Sequence, residues 1–156
     1  MISSIGIRVA AEPRRVFELA RDITRWAELL PHYRRVTVHG RRDDRTTAQM
    51  VAVRPFRGES GPGIPVTWRA ETWAEGGDPL DLRLRFLHIR GATRGMDVTW
   101  HIRPLGDGAE VVIEHRFRRD LPLLGERLLP WFVDRFFTRP IAGRTLRRFK
   151  ALAEAR

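Results

Sequence analysis

Five histidines, His32, His39, His88, His101 and His115, are the side chains of this sequence best suited to moving protons near neutral pH. None forms a ligand pair at helical spacing and there is no H-E-x-x-H, so a zinc site is not indicated. There is no cysteine, which excludes a disulfide framework, a thiolate nucleophile, Cys-ligated zinc and an iron–sulfur cluster. Serines stand only at positions 3, 4 and 60. Around Ser60 the order Gly58-Glu-Ser-Gly-Pro62 puts Pro62 where a hydrolase elbow needs glycine, and no helical pattern follows it. No glycine-rich phosphate loop opens a helix. Two histidines and one arginine are left as weak catalytic candidates. His88 continues the alternation of Leu82, Leu84 and Phe86, and His115 continues that of Val111 and Ile113. A neutral imidazole on the inner side of a sheet can donate to a ligand carbonyl or act as general acid or base, and the same position equally suits a histidine satisfied by a neighbour. Arg54 shares parity with Met50 and Ala52 and can hold a carboxylate or enolate oxygen, or reach solvent from a strand end.

The elements that must position these residues follow from hydrophobic periodicity. Ile5, Ile7 and Val9 give a short strand. Pro13 sits where a helix starts, Val16, Phe17 and Ala20 share its face, and Asp22 caps a second short helix with Trp26, Leu29 and Leu30. Trp26 is expected to be structural, lying against the end of the sheet. Residues 36–117 then alternate with period two in strand after strand, which means an antiparallel sheet with one wet and one apolar face. Asp107-Gly108 reads as the central pair of a two-residue hairpin. That register sets Ile102 opposite Ile113, Trp100 opposite His115, Val98 opposite Phe117, His101 opposite Glu114 and Asp97 opposite Arg118. From about Pro122 to Ala155 one long helix is expected, kinked or broken at Pro130 and Pro140. Leu124, Leu128, Phe132 and Phe136 recur along it at four-residue spacing.

Composition bounds the rest. The chain has 156 residues, 42% hydrophobic and 31% charged, the size of one domain with a real core, and residues 1–156 are read as a single domain. No uncharged run exceeds nine residues (60–68), so no membrane-spanning helix is expected. The first seven residues lack a basic region and a long apolar run, and the cytoplasm is the expected compartment. The net charge is +10, from 29 basic and 19 acidic residues, with Lys150 the only lysine. The arginines are scattered, in runs of at most two. This favours arginine-rich coding over a nucleic-acid or ribosome partner, for which only weak, salt-sensitive binding is expected.

The order of these elements resembles the helix-grip fold of START-related lipid-transfer domains, polyketide cyclases/aromatases and coenzyme Q-binding proteins. The resemblance rests on Val9-Ala-Ala-Glu-Pro13 with Val16-Phe17, Asp22-Ile-Thr-Arg-Trp26 with Leu30-Pro31, residues 96–100, Pro104-Leu-Gly-Asp-Gly108, and Asp120-Leu-Pro-Leu-Leu-Gly125. It implies an α+β domain with a curved antiparallel sheet of six to seven strands wrapped around a long C-terminal helix. It also implies a hydrophobic small molecule, such as a quinone, lipid or polyketide-like aromatic, carried between sheet and helix, or a polyketide aromatase/cyclase acting there. No cofactor and no metal are implied. The residue pattern adds a geometric reason: a single rod laid on a curved sheet leaves space, and a cavity of roughly 300–1,000 Å³ is expected. Its wall is expected from Trp68, Leu84, Phe86, Met96, Val98, Trp100 and His115, with Phe132 and Phe136 from the helix. Plain core packing of the same aromatics is the alternative. The aromatic run 128–137, with Arg127, Arg135 and Arg139, either faces the sheet or touches an anionic membrane transiently.

Overall fold

Alternating side chains in seven stretches build one antiparallel sheet. The strands are β1 (Ile2–Val9), β2 (Tyr33–Arg42), β3 (Arg45–Pro55), β4 (Gly63–Glu75), β5 (Leu82–Gly91), β6 (Asp97–Leu105) and β7 (Gly108–Arg116). The computed structural model describes residues 1–117 and 128–155. The strand order is β1-β7-β6-β5-β4-β3-β2, so every neighbouring pair except β1–β7 is a sequential hairpin. One face buries Ala48, Met50, Trp68, Leu84, Phe86, Trp100, Ile102 and Ile113, and its edge is widened by His88 and His115. The other carries the charged residues of the same strands. This is the helix-grip fold expected from the sequence.

Between β1 and β2 lie α1 (Pro13–Arg21), a 3-10 turn (Ile23–Arg25) and α2 (Trp26–Leu29). Pro13 opens α1, where its missing N–H is harmless. The Asp22 carboxylate accepts from the Thr24 N–H at 3.1 Å and so starts the 3-10 turn. Trp26 is buried, its Nε1–H donating to the Ala20 carbonyl at 2.9 Å. Its ring packs within 6 Å of Tyr33, Phe86, Trp100 and Phe149. It therefore joins the short helices, the sheet and the C-terminal helix in one contact.

The β6–β7 register differs from the expected one by two residues. Leu105 pairs with Gly108, Ile102 with Val111, Trp100 with Ile113, Val98 with His115 and Asp97 with Arg116. The central pair of the turn is Gly106-Asp107, and Gly106 has φ +60°. Glycine first with positive φ is the type II′ pattern, whereas an Asp-Gly centre would need positive φ at both residues. A shift of two preserves side-chain parity, so each residue keeps its face. His101 lies opposite Val112 and Thr99 opposite Glu114. The expected pairing of Asp97 with Arg118 falls on a residue outside those described.

The described part of the C-terminal helix is α3 (Leu128–Val133), a π-helical turn (Asp134–Thr138) and α4 (Arg139–Glu154). The expected start of the helix near Pro122 lies outside the described residues. The defect expected at Pro140 takes the form of the π turn rather than a break. Pro140 has no N–H and its ring crowds the carbonyl four residues back. The wider turn relieves that contact, with Arg139 N–H bonding back five residues to the Asp134 carbonyl. α4 is tied to β1 by Lys150, whose Nζ donates to the Arg8 carbonyl at 2.9 Å, and to α2 by Arg148, whose Nε donates to the Leu29 carbonyl at 2.9 Å. No described helix is long and apolar enough to cross a membrane.

Candidate functional site

Between the inner face of the sheet and the π turn lies an apolar cavity of about 80 Å³. Trp68, Phe86, Met96, Val98, Trp100 and His115 of the expected wall line it, as does His88. Leu84 does not, being buried nearer the short helices. Phe132 and Phe136 do not either; Phe132 is 46% exposed and packs on Phe136 at 4.7 Å between ring centroids. The helix contributes Phe137, Thr138, Ile141, Ala142 and Thr145 instead. The cause is the π turn. It takes more residues per turn than an α-helix, so a stripe counted at four-residue spacing rotates off the sheet where the turn begins. Arg54 is half-buried outside the cavity, its guanidinium 5.6 Å from the centre of the Phe136 ring.

The cavity is smaller than expected because α1 and α2 supply a second cover. Trp26 from α2 and Tyr33 from the start of β2 fill one end of the concavity and also line the remaining space. An apolar cavity of about 150 Å³ takes one benzene ring. A larger guest therefore fits only by moving a side chain of the wall or by extending through the open side of the cavity.

Two buried histidines, His88 and His115, line this space and a third, His32, bonds to its wall, each in a different state of satisfaction. His32 donates from Nε2–H to the Thr145 hydroxyl at 2.8 Å. The Thr145 hydroxyl spends its one proton on the Ile141 carbonyl at 2.9 Å, so the imidazole must be the donor. Burial, reinforced by Arg144, pushes the His32 pKa down to about 4. His88 stacks on Trp68 with ring centroids 5.6 Å apart and planes 8° from parallel. Its Nδ1 lies 2.6 Å from the Thr93 hydroxyl. The β5–β6 loop holds it in place: His88 N–H donates to the Met96 carbonyl and Gly95 N–H donates to the His88 carbonyl. Gly91, at φ +100°, lets that loop close against β4; a Cβ there would sit 2.6 Å from the Thr67 carbonyl oxygen. Burial, with His115 nearby, pushes the His88 pKa down to about 3. His115 is the exception. Its Nδ1 is buried and has no hydrogen-bond partner among the described residues. Burial, with Arg139 adding a positive charge, pushes its pKa down to about 4.

Tyr33, Thr93, Thr138 and Thr145 complete the polar groups of a wall that holds no carboxylate, lysine or arginine among the described residues. Burial raises the Tyr33 phenol well above its ordinary range, so it stays a hydroxyl. Behind His115, Ser3 pairs with it across β1–β7 and donates to Asp134 Oδ2 at 2.9 Å. Arg139 Nη1 donates to Ser3 Oγ at 3.2 Å, fixing the π turn to β1. Sequence reasoning passed over Thr93, Thr138 and Thr145, though Thr145 stands four residues from both Ile141 and Phe149 on the apolar face of α4. Among the described residues no group of His, Asp or Glu is arranged to hold a metal ion.

The sequence matches the family described as polyketide cyclase/dehydrase and lipid transport over residues 4–154. The chain belongs to this family. No curated protein matches this polyketide cyclase/dehydrase and lipid transport family member. Solved structures do. The Thermus thermophilus protein TTHA0849 is 24% identical, with 98% of this chain and 99% of that one covered and a TM-score of 0.71. The Zhui aromatase/cyclase of Streptomyces sp. R1128 is 16% identical, with 99% and 93% covered and a TM-score of 0.72. A STAR-related lipid transfer protein of Xanthomonas axonopodis is 14% identical, with 99% and 86% covered and a TM-score of 0.67. At these identities the likeness is one of fold. What this family member can do chemically is set by its own wall: apolar contact, aromatic stacking, and hydrogen bonds at two neutral imidazoles and a few hydroxyls.

Proposed function

We propose that this protein binds a hydrophobic small molecule bearing an oxygen function, as a carrier or chaperone, in the cavity between sheet and helix. The observation that carries the reading is the buried, unpartnered Nδ1 of His115 in a largely apolar wall that holds no charged side chain among the described residues. An unmade buried hydrogen bond costs about 1–3 kcal/mol, and a ligand hydroxyl or carbonyl would make it. A quinone, an oxygenated lipid or a polyketide-like aromatic has that chemistry. The family and the lipid-transfer and cyclase neighbours support the same class of guest. Because the cavity itself holds less than one ring, a guest of this class would widen it or extend from it.

A cyclase reading is second, favoured by His88 and His115 sharing one wall as neutral bases. A folded polyketide chain would have its acidic carbon proton within reach of an imidazole. The charge-free wall limits such chemistry to these two groups.

Native mass spectrometry of freshly purified protein tests for a retained guest. Titration with a soluble quinone analogue, read by fluorescence of the buried tryptophans, tests affinity. Micromolar binding is expected, and His115→Phe weakens it several-fold for the quinone while leaving the matched hydrocarbon unchanged. Absence of binding by every hydrophobic probe would remove the carrier and cyclase readings together.

A further inference from the structure

The register of the sheet gathers five chain segments at one end: the start of β1, the end of β7, the β5–β6 loop, the β3–β4 tip and the start of β2. The π turn docks there too, through Ser3 on Asp134 and Arg54 over Phe136. Seven large hydrophobic side chains are exposed among the described residues, and six lie at this end. Met1 and Ile2 come from β1, Phe56 (70% exposed) and Ile64 from the β3–β4 tip, and Trp131 (50%) and Phe132 from α3. Leu80 alone lies at the far end.

Around these residues stand exposed arginines: Arg34 on β2, Arg57 on the tip, Arg94 in the β5–β6 loop, and Arg135 and Arg139 by the π turn. None is ion-paired with a carboxylate among the described residues. Among the described residues the acids nearby are engaged, Glu59 by Arg147, Asp97 by Arg85 and Glu114 by Arg116, while Asp134 is buried with Oδ2 on Ser3.

We infer that this end of the molecule docks on an anionic phospholipid surface, with Trp131, Phe132 and Phe56 entering the interface and the arginines meeting lipid phosphates. Charge decides among occupants. A second copy would bring a like-charged rim against this one, whereas an anionic bilayer complements it. Shape agrees: the apolar residues sit on separate tips rather than in a groove, so they suit a fluid interface better than a folded partner. Tryptophan and phenylalanine beside arginine is the composition that partitions into a headgroup region. The inference stands on the exposed surface and holds whatever the cavity binds.

The test is co-sedimentation of the full chain with vesicles of phosphatidylcholine alone or mixed with phosphatidylglycerol. Binding is expected on the anionic vesicles only, falling as salt rises. The Trp131→Ala, Phe132→Ala double variant should bind roughly tenfold less. Arg57→Glu and Arg135→Glu should each weaken binding by roughly fivefold per unit of charge lost. All of these side chains are exposed or partly so, and an unchanged thermal melt checks that each variant is folded. Quenching by brominated lipid should reach Trp131 and vanish in Trp131→Phe. Three results would overturn the inference. One is no binding to anionic vesicles. Another is an equal loss on reversing Arg41 and Arg42 at the far end, which would make the attraction diffuse. The third is a dimer in sedimentation velocity that the double variant abolishes, which would make the surface a self-interface.

Discussion

His101 and His115 sit on adjacent strands and on opposite faces of one sheet, and their surroundings differ in kind. On the outer face, His101 Nδ1 lies 3.0 Å from Asp81 Oδ1 and 2.9 Å from Arg103 Nη2. Asp81 also accepts from Arg83 Nε at 2.7 Å and Arg103 Nε at 3.0 Å. Partial desolvation pushes the Asp81 pKa up, but the hydrogen bonds from Arg103, Arg83 and His101 outweigh it and hold the group at about 2. Arg45, Arg85 and Arg116 meet Glu71, Asp97 and Glu114 in the same way. On the inner face His115 has burial without a bond. The Asp81 cluster on the outer face is a closed set of partners, and Arg69 and Arg85 beside it, each with a buried Nε left unbonded, are still held by Gln49 and Asp97 through another nitrogen, while the cavity wall keeps a polar atom of His115 in reserve. The residue that points to function is marked by what it lacks, not by its type.

The largest effect that can break this comparison is the dependence of stability on pH. His32 and His115 titrate at about 4 and His88 at about 3 in the folded state, against about 6.5 when exposed. Below pH 6.5 the unfolded chain takes up protons that the folded chain refuses. The stability these groups permit is full above 6.5 and falls as pH drops toward their folded values. By pH 5 each should have lost about 2 kcal/mol. Asp81 has the opposite ordering of states. Its contribution persists through this window and is lost only as pH falls from about 4 toward 2. Urea midpoints from pH 7.5 down to 5 should therefore fall steeply, with a shallower slope in His88→Gln. A flat profile would mean that the inner histidines are hydrated.

Next in size is Trp26→Ala, which should cost about 3–5 kcal/mol in urea unfolding. Its ring is the contact shared by α2, the sheet and α4, and its removal would enlarge the cavity it already borders. A loss below about 1 kcal/mol would show that the inner face does not depend on this ring. Asp81→Asn is the matching outer-face change. It weakens three charge-assisted hydrogen bonds that lie partly in solvent, and about 1–2 kcal/mol is expected. A cost equal to that of Trp26→Ala would reverse the ranking of the two faces.

The faces themselves are legible in the sequence, because a period of two survives any even error of register. His88 and His115 come out inward although the expected β6–β7 pairing is off by two. Gly106-Asp107 and Asp107-Gly108 both suit a turn centre, and only φ at Gly106 decides between them. The helix is harder to read. Counting Phe132 and Phe136 toward the cavity assumes an unbroken α-helical phase, and Pro140 changes that phase through a π turn whose register the sequence does not announce. The expected cavity volume is too large for a related reason. One rod on a curved sheet leaves a wide gap only if nothing else enters the concavity, and Trp26 and Tyr33 enter it.

The smallest expected change in stability is the most specific to the comparison. His115→Phe replaces a buried imidazole that has no bond at Nδ1 with an apolar ring of similar size, beside a cavity that can absorb the difference. Removing a satisfied polar group would cost its hydrogen bonds; removing an unsatisfied one relieves a desolvation penalty. The variant should be as stable as the parent or more stable by about 1 kcal/mol at pH 7.5. It should also lose its share of the pH dependence between 6.5 and 4, because the proton uptake of the unfolded state no longer includes that site. On the outer face no polar residue of the Asp81 cluster should behave this way, since each has a partner to strand. If His115→Phe instead destabilises by as much as Asp81→Asn, the imidazole is already bonded in the folded protein. The inner face would then hold no group in reserve for a ligand.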